Sequence, residues 1–525
     1  TEMVECIFLN IGGNEQKLAD KINDTFQSVS AKLPKLTPIH PNLSDPFPDN
    51  YQVSTHDVEK KLMAIDIKKA AGPDGIPNWI LRDFAGFLAA PISSIFNASF
   101  REGFIPSVWK SADVVPLPKV NPPQRLEKDL RPISLTHTIS KIQEKFTYSW
   151  FWDILQHKMD KMQLGALKGT CTTHALISMV HDWLRATDDS RNKNYVHIVL
   201  LDYAKAFDHV DPNILVNKLD NLGIPDPLVR WAEAFLMNRK QRVKIGQCTS
   251  SWLEVWGTVP QGPLLGVLFF LCMINDLTTE CTVIMYVDDT TIYHTSSDPS
   301  DTTLQKSVDT AIDWSKQNSM KINAAKTKDM LVSFAKETPK VSNVIVDGEE
   351  IERVSECKLL GVILNNRLSW HDHIESMMKK ANTRLHFMFQ LKRTKLPADE
   401  IIKVYVTLVR PLLEYACQVW HAGLTDQQSN EIESVQERVL KMVYPQSSYH
   451  GALIQSGLPT LSLRRDHACK NLFTAMQESD HKLHHLLPPK RSSRYSSRNG
   501  KLYALPPTKT KRFKDSFIPY CVYNF

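Results

Sequence analysis

The stretch MYVDDTTIYH (285–294) places two adjacent carboxylates inside an otherwise apolar and β-branched run. The residues on either side of the acidic pair are typical of two buried strands. The pattern therefore predicts a hairpin whose tight turn is formed by Asp288 and Asp289. Because turns often contain Asp, the pair alone is equally consistent with an ordinary turn that has no further role.

A second buried strand ends in the same way. In VHIVLLDYAKAFD (196–208) an apolar run leads directly to Asp202. A single carboxylate at a strand end is also explained by a helix cap or a turn. Two such strands, one ending in Asp and the other in an Asp pair, suggest that three carboxylates converge if the strands are neighbours in one sheet.

The negative charges of converging carboxylates have to be neutralised. Two unit charges about 4 Å apart repel by roughly 4 kcal/mol at an effective dielectric constant near 20. Such a cluster either holds a proton or binds cations, and hard divalent ions, Mg²⁺ above all, prefer carboxylate oxygens and leave positions for substrate phosphates. A site with two ions suits an in-line displacement at phosphorus. The sequence therefore favours nucleotidyl transfer of the polymerase type.

Composition sets limits on the class of protein. A chain of 525 residues with 42% hydrophobic content is long enough for two or three domains. Its nine cysteines form no CxxC pair, which favours neither a zinc knuckle nor a disulfide scaffold and points to a reducing compartment. The longest apolar run, PLLGVLFFLCMI (263–274), is too short to span a bilayer and predicts a buried helix.

Charge is distributed unevenly along the chain. The net charge is +6, but the segment 490–514 holds nine Lys or Arg residues and no acid, and the rest of the chain has 54 basic against 57 acidic residues. Such a run is either a solvated, flexible segment or a site that attracts nucleic-acid phosphates. Within it, KTKRFK (509–514) is consistent with a nuclear signal or with phosphate-binding charge.

Nine motifs along the chain occur in an order that is typical of one known family. From about Lys61 onward the chain resembles the reverse transcriptases of non-long-terminal-repeat retrotransposons, the jockey-like and chicken-repeat-like elements. The resemblance runs in order through AGPDGIP (71–77), ADVVPLPKVN (112–121), LRPISL (130–135), LGALKGTCTTHAL (164–176), LLDYAKAFDHV (200–210), VPQGPLLGVLFFLCMINDL (259–277), MYVDDT (285–290), INAAKTK (322–328) and CKLLGVIL (357–364). LEYACQVW (413–420) and LPTLSLRRD (458–466) resemble thumb and downstream segments.

The resemblance implies an α+β fold of the right-hand polymerase type, with fingers, a palm built on an antiparallel sheet, and a helical thumb. The implied organisation is an N-terminal segment with a Pro-rich linker (1–50), fingers and palm (51–370), thumb and downstream region (371–480) and a basic tail (481–525). Neither an endonuclease domain nor an RNase H domain is expected within this chain.

The resemblance also implies roles for individual residues near the reacting atoms. Asp202, Asp288 and Asp289 match the metal-binding and catalytic aspartates. Lys326, in AAKTK, matches a lysine near the departing pyrophosphate, where a proton donor is useful. Catalysis would then depend on these four side chains.

Further matched positions concern the nucleotide and the primer. Lys119 and Arg131 match residues that hold the triphosphate, a role suited to a compact charge and to a rigid donor fork. Phe207 matches a bulky residue beneath the incoming sugar. Gln261 matches a residue that contacts the incoming nucleotide, and Gly262 after it allows a close approach of the backbone. Leu359, Leu360 and Gly361 resemble the hairpin that grips the primer end.

Several positions depart from the family pattern. The segment QLGALK (163–168) stands where many relatives read Gln-Phe-Gly-Phe-Arg, and Thr258, Pro263, Val267 and Val287 replace the usual Gly, Ser, Pro and Ala. None of these changes removes a metal ligand or a phosphate contact. They motivate an alternative hypothesis, a catalytically decayed or co-opted RNA-binding remnant. A third option, an RNA-dependent RNA polymerase, is disfavoured by Phe207, whose ring would exclude a 2′-hydroxyl.

The expected activity is RNA-directed DNA synthesis, with two Mg²⁺ ions as cofactors and Mn²⁺ as a substitute. The expected partners are an RNA template, a DNA primer and deoxynucleoside triphosphates, without a membrane, and the oligomeric state is left open. The absence of a signal peptide and the cysteine pattern predict an intracellular protein of the nucleus or cytoplasm, not a secreted one.

Overall fold

The computed structural model describes residues 14–39, 48–120, 122–189, 193–256, 259–491 and 502–525. The chain forms two compact units that are each assembled from separate segments. Unit 1 comprises Thr1–Asp160, Tyr203–Thr278 and Ala311–Ile322, and unit 2 comprises Lys161–Asp202, Thr279–Thr310 and Asn323–Phe525. The predicted division into fingers, palm, thumb and tail stays a prediction.

The described residues form both helices and strands. The helices are α1 (Glu15–Ser30), α2 (Thr55–Met63), α3 (Asn78–Asp83), α4 (Ala85–Glu102), α5 (Leu126–Asp129), α6 (Thr138–Leu155), α7 (Thr172–Ala186), α8 (Pro212–Asn221), α9 (Asp226–Leu236), α10 (Leu264–Ile274), α11 (Thr303–Gln317), α12 (His371–Arg393), α13 (Ala398–Val404), α14 (Arg410–Glu414), α15 (Cys417–Trp420), α16 (Asp426–Val443), α17 (Tyr449–Ser456), α18 (Leu461–Ala475), α19 (Lys511–Lys514) and α20 (Phe517–Asn524). The strands are β1 (Ser111–Pro118), β2 (Leu130–Leu135), β3 (Tyr195–Leu201), β4 (Arg239–Ile245), β5 (Cys248–Thr249), β6 (Leu253–Val255), β7 (Thr282–Tyr286), β8 (Asp289–Ser296), β9 (Lys328–Ser333), β10 (Ile345–Val346), β11 (Glu349–Glu350), β12 (Glu356–Leu359) and β13 (Val362–Asn365).

Unit 1 combines a small sheet with a helical core. The strand order is β2-β1-β4-β5, with β6 also paired to β4, and β1 pairs antiparallel with β2 but parallel with β4. Helix α10 is apolar on all sides and nine of its eleven residues are buried, which confirms the buried helix predicted from its composition. In the helical core, Phe269 of α10 lies edge-on against Phe151 and Phe235.

The N-terminal segment contributes to unit 1. Helix α1 begins at the cap residue Asn14, whose side chain accepts a hydrogen bond from the Lys17 amide. Its apolar face, with Leu18, Ala19 and Ile22, is buried against Val114 and Val243 of the sheet. A segment assigned to the N-terminal region by sequence therefore supports strand β1.

Unit 2 is built on an antiparallel sheet with the strand order β7-β8-β3-β9. Helix α7 covers this sheet with an almost wholly buried set of residues, including Trp183. One charged cluster is buried in the sheet, where Asp329 of β9 accepts two hydrogen bonds from Arg353, at 2.7 and 3.0 Å, and lies 2.8 Å from His197 of β3. These contacts satisfy a carboxylate that is fully buried.

The C-terminal residues also belong to unit 2. Phe513, Phe517 and Cys521 of α19 and α20 are buried in the same core as the sheet. The Asp188 carboxylate accepts hydrogen bonds from the backbone amides of Lys509 and Thr510, at 2.8 and 2.9 Å. The described end of the basic segment is therefore packed, whereas residues 492–501 of that segment lie outside the described residues. None of the described helices combines the length and hydrophobicity that a membrane span requires.

Candidate active site

The acidic hairpin forms, but its turn lies one residue earlier than predicted. Strand β7 ends at Tyr286 and β8 begins at Asp289, with these two residues directly paired, so the turn consists of Val287 and Asp288. Val287 takes a positive φ of 59°, which costs energy for a β-branched side chain. The predicted turn at Asp288 and Asp289 is therefore wrong, and Asp289 is a strand residue.

Strand register brings Asp289 close to Asp202. Leu201 of β3 is paired with Thr290 of β8 in an antiparallel ladder. Continuing this register by one residue places Asp202 opposite Asp289. Side chains directly opposite each other in such a ladder share a face and have Cβ atoms about 5 Å apart. Two of the three predicted carboxylates therefore point to the same side of the sheet.

The electrostatics of Asp289 reflect this proximity. Burial, the carboxylate of Asp288 and the carboxylate of Asp202, in decreasing order of importance, raise the pKa of Asp289 to about 6. A carboxyl group whose charge is opposed by two neighbouring carboxylates is half protonated at that pH. Asp288 and Asp202 therefore both lie close enough to Asp289 to act on its charge.

A turn before β9 fixes the backbone of Asp202. Its carbonyl accepts a hydrogen bond from the Asn323 amide at 2.7 Å, and its amide donates to the Thr327 hydroxyl at 3.3 Å. The same turn carries Lys326, whose Nζ lies 3.8 Å from Oδ2 of Asp202. The predicted catalytic lysine is therefore adjacent to a predicted metal ligand.

The donor set fits a divalent cation. Within the described residues, no group of three or more His, Cys, Asp or Glu side chains is arranged closely enough to hold a metal ion by itself. However, Oδ2 of Asp202 is buried and makes no hydrogen bond, and it belongs to the carboxylate opposite Asp289. Mg²⁺ is commonly bound by one or two protein carboxylates, with waters and substrate phosphates as further ligands. Two facing carboxylates are sufficient for that chemistry.

Two of the predicted primer-grip residues, Leu360 and Gly361, form the turn of a hairpin in unit 2, and the third, Leu359, ends its first strand. Strands β12 and β13 are joined by Leu360 and Gly361, which both have positive φ values of 46° and 88°. The Tyr415 hydroxyl donates to the Leu360 carbonyl at 2.8 Å, and a Cβ atom at Gly361 would lie 2.9 Å from the Tyr415 ring. Both the backbone conformation and the packed ring require glycine at position 361.

The predicted triphosphate contacts lie in unit 1, on the hairpin of β1 and β2. Arg131 of β2 is directly opposite Leu117 of β1, and Lys119 follows Leu117 by two residues. Lys119 lies one residue beyond the end of β1, and its amide donates to the Asp129 carbonyl at 2.7 Å, so both cations are near the same end of this strand pair. Both are exposed. The arrangement is suited to contacting one polyanionic ligand.

Gln261 and Gly262 are attached to the same strand. The Ser134 amide of β2 donates to the Gln261 carbonyl at 2.8 Å. Gly262 has a φ of 129°, and a Cβ atom there would lie 2.9 Å from the Ser134 carbonyl oxygen. The close backbone approach expected at this glycine is therefore present, although it is made to β2.

Asp208 is a residue that sequence reasoning missed. Its carboxylate accepts a hydrogen bond from the Gln261 side-chain amide at 3.1 Å, and burial raises the pKa of Asp208. The preceding residue, Phe207, stacks on Phe270 of α10 with a centroid distance of 4.5 Å. The sequence AFD (206–208) thus supplies both the ring predicted to lie beneath the sugar and a carboxylate that orients Gln261. The position of Asp208 directly after Phe207 is the one sequence feature that could have indicated this role.

Glu144 of α6 is a second missed residue, because nothing in the local sequence marks it as buried. The side chain is 1% exposed. Burial raises the pKa of Glu144 to about 7, against the opposing effects of the Arg239 guanidinium and the Leu265 amide at the start of α10. A carboxyl group of α6 whose pKa is raised to about 7 therefore lies next to the start of α10, the helix that follows Gln261 and Gly262.

Glu144→Gln should make the stability of the protein less sensitive to a rise in pH from the acidic range to neutrality. A carboxyl group whose pKa is raised by folding contributes full stability below its unfolded value and loses that contribution as the pH rises through the folded value. From pH 5.5 to pH 8.5 we expect the free energy of unfolding of the parental protein to fall by about 2 kcal/mol relative to Glu144→Gln. Urea unfolding at both pH values measures this difference.

The exposed Glu127 provides a matched control for this experiment. Glu127→Gln should leave the pH dependence of the parental protein unchanged. A stability difference between the parental protein and Glu144→Gln that is the same at both pH values would contradict the assignment of a neutral-range titration to Glu144.

Comparisons with known proteins identify the domain that carries this geometry. Residues 117–364 match the family described as reverse transcriptase (RNA-dependent DNA polymerase). Both clusters described above, from Lys119 to Gly361, lie within this matched region. The α+β class predicted from the sequence is confirmed.

The similar proteins are polymerases of mobile elements. The chain is 24% identical over 441 residues to the probable RNA-directed DNA polymerase from transposon BS of Drosophila melanogaster, covering 81% of this chain and 47% of that protein. It is 26% and 27% identical to the RNA-directed DNA polymerases from mobile element jockey of Drosophila melanogaster and Drosophila funebris, over 74% and 79% of this chain and 44% and 45% of those proteins. The predicted resemblance to the reverse transcriptases of jockey-like elements is confirmed. The chain spans less than half the length of these relatives.

Proposed function

We propose that this chain is an RNA-directed DNA polymerase that adds deoxynucleotides to a primer 3′-hydroxyl on an RNA template. The observation that carries this proposal is the register of β3 and β8, which sets Asp202 opposite Asp289 inside a reverse transcriptase domain. A strand end with facing carboxylates, one of which has a buried oxygen without a hydrogen bond and only the Lys326 ammonium at 3.8 Å, is costly unless it binds cations. Nucleotidyl transfer gives that arrangement a use.

Divalent cations, Mg²⁺ first and Mn²⁺ as a substitute, would be held by Asp202, Asp288 and Asp289. Two such ions activate an attacking hydroxyl and stabilise a departing pyrophosphate oxygen. The protein's own contribution is to keep three mutually repelling carboxylates in place, through the ladder of β3 and β8 and the turn that ends at Thr327. Lys326, 3.8 Å from Asp202, would donate a proton to the leaving group or stabilise its negative charge.

The residues of unit 1 are proposed to select and hold the nucleotide. Lys119 and Arg131 would bind the triphosphate from the loop end of their hairpin. Gln261, with its amide held by Asp208, would contact the incoming nucleotide. Phe207, packed on Phe270, would exclude a 2′-hydroxyl from the sugar site. In unit 2, the turn with Leu360 and Gly361 would contact the primer end.

The proposed partners are an RNA template and a DNA primer, recognised mainly through the backbone and shape of an A-like hybrid. We further propose an intracellular location, nuclear or cytoplasmic. The alternative of a decayed RNA-binding remnant shares the same fold but lacks a use for the facing carboxylates. Salt-sensitive RNA binding is expected of both functions and does not separate them.

Primer extension separates them. The purified protein is expected to extend a DNA primer on an RNA template with deoxynucleoside triphosphates when Mg²⁺ or Mn²⁺ is present, and to stop when the metal is chelated. Ca²⁺ at equal ionic strength controls for unspecific charge effects, since its larger, more flexible coordination does not meet the geometry that Mg²⁺ requires. RNA binding without extension in any divalent metal would contradict the polymerase proposal and support the remnant.

A further inference from the structure

Residues 162–165, before α7, lie beside the acidic hairpin of β7 and β8 within unit 2. The Met285 amide donates to the Met162 carbonyl at 3.0 Å, and the Leu164 amide donates to the Met285 carbonyl at 2.8 Å. Gln163 therefore forms a parallel bridge with Met285 of β7. These backbone contacts extend the sheet by one edge pairing next to the turn that carries Asp288.

The side chain of Gln163 bonds directly to that turn. It is 2% exposed, and its Oε1 accepts hydrogen bonds from the Val287 amide at 3.0 Å and from the Gly165 amide at 2.8 Å. Val287 is the residue with the positive φ of 59°, a conformation that a β-branched residue keeps only when its surroundings enforce it. The side-chain carbonyl of Gln163 provides one of the contacts that hold Val287 in this conformation.

Gly165 permits this approach. A Cβ atom at position 165 would lie 2.3 Å from the Val287 nitrogen and 2.6 Å from the Tyr286 carbonyl carbon. Both atoms are backbone, so neither can move without moving the hairpin. We call Gln163 and Gly165 together the hairpin clamp.

We propose that Gln163 is a positioning residue that holds Val287 in its strained conformation and thereby keeps Asp289 on the side of the sheet that carries Asp202, with Asp288 beside it in the turn. The proposal rests on the proposed function, since it gives the clamp its purpose. The physical argument is local. Asp288 follows Val287 directly, so rotation of Val287 to an ordinary negative φ would redirect the Asp288 carboxylate, and mutual repulsion of the aspartates favours such a movement.

Replacing the acceptor without changing the volume tests this role. Gln163→Met removes the carbonyl that both amides use and keeps an unbranched side chain of similar size. We expect kcat for primer extension to fall by about 10- to 100-fold, as for other small displacements of catalytic groups, with KM for the nucleotide little changed. The Mg²⁺ concentration for half-maximal rate should rise several-fold. Gln427→Met, at an exposed position of α16, makes the same chemical change and should behave as the parental protein.

A second variant decides whether the effect passes through Val287. Glycine takes a positive φ without strain, so Val287→Gly removes the need for enforcement. In the Val287→Gly background, Gln163→Met should reduce kcat by less than about threefold, and a double-mutant cycle measures this coupling. An equal loss in both backgrounds would overturn the proposal, because Gln163 would then act independently of the turn.

Hydrogen exchange followed by mass spectrometry gives a readout that does not depend on activity. Peptides that cover 285–290 should exchange faster in Gln163→Met than in the parental protein or Gln427→Met, because the Val287 amide has lost its acceptor. Unchanged exchange would overturn the clamp even if activity fell. An inactive parental protein with faster exchange in Gln163→Met would instead contradict the polymerase function and leave the clamp supported.

Discussion

Asp202→Asn and Asp288→Asn are each expected to abolish primer extension, with a loss of at least about 10³-fold. An amide retains the size of the carboxylate but removes the negative charge that binds a divalent cation. A factor of 10³ corresponds to roughly 4 kcal/mol of lost transition-state stabilisation, a magnitude that metal ions commonly provide. The measurement is the single-nucleotide extension rate at saturating Mg²⁺ for each variant and the parental protein.

Two controls make this result specific. Asp309→Asn, at an exposed position of α11, changes the same functional group away from the candidate site and should extend primers at the parental rate. The affinity for the RNA and DNA hybrid should remain within a few-fold of the parental value in all three variants, because the hybrid is proposed to be recognised mainly through its backbone and shape. Parental extension rates in Asp202→Asn would show that the facing carboxylates are not the metal site.

Phe207→Val is expected to increase the incorporation of ribonucleotides by about 100-fold relative to deoxynucleotides. A smaller side chain leaves room for the 2′-hydroxyl that the ring would exclude, and steric discrimination of this kind is worth about 10- to 200-fold. The stacking of Phe207 on Phe270 at 4.5 Å indicates that the ring is held in a fixed position. The measurement is the ratio of kcat/KM for a matched deoxynucleotide and ribonucleotide.

The exposed Phe87 of α4 provides the control for this prediction, because its ring is 84% exposed and makes little contact with the protein core. Phe87→Val should leave the nucleotide ratio unchanged. If Phe207→Val lowered stability but retained the parental ratio, Phe207 would be an ordinary packing partner of Phe270 and the sugar discrimination would have another source.

The sequence was informative wherever the signal was local. The apolar run before Asp202 and the two runs that flank the Asp288–Asp289 pair predicted strands that the structure contains, β3 over Tyr195–Leu201, β7 over Thr282–Tyr286 and β8 over Asp289–Ser296. The uniformly apolar composition of 264–274 predicted a buried helix for the same reason. In each case the chemical character of consecutive side chains is enough to decide between burial and exposure.

The errors arose where a distant segment decides the local conformation. The turn of the acidic hairpin is centred on Val287 and Asp288 although valine is a poor turn residue by local preference. The Val287 amide of this turn donates to the side chain of Gln163, 124 residues earlier in the chain. No pattern within MYVDDTTIYH contains that information. In the same way, Asp208 can be assigned a role only once the structure shows that it bonds Gln261.

The amino-acid sequence by itself determined the strands, the carboxylates at their ends, the α+β class and the similarity to reverse transcriptases, because composition and order are properties of short stretches. Tertiary structure alone decided the register that sets Asp202 opposite Asp289, the strained φ of Val287 and the burial of Glu144. Those features depend on hydrogen bonds and packing between segments far apart in the chain. Such contacts select one of several locally acceptable conformations, and they exist only after the chain has folded.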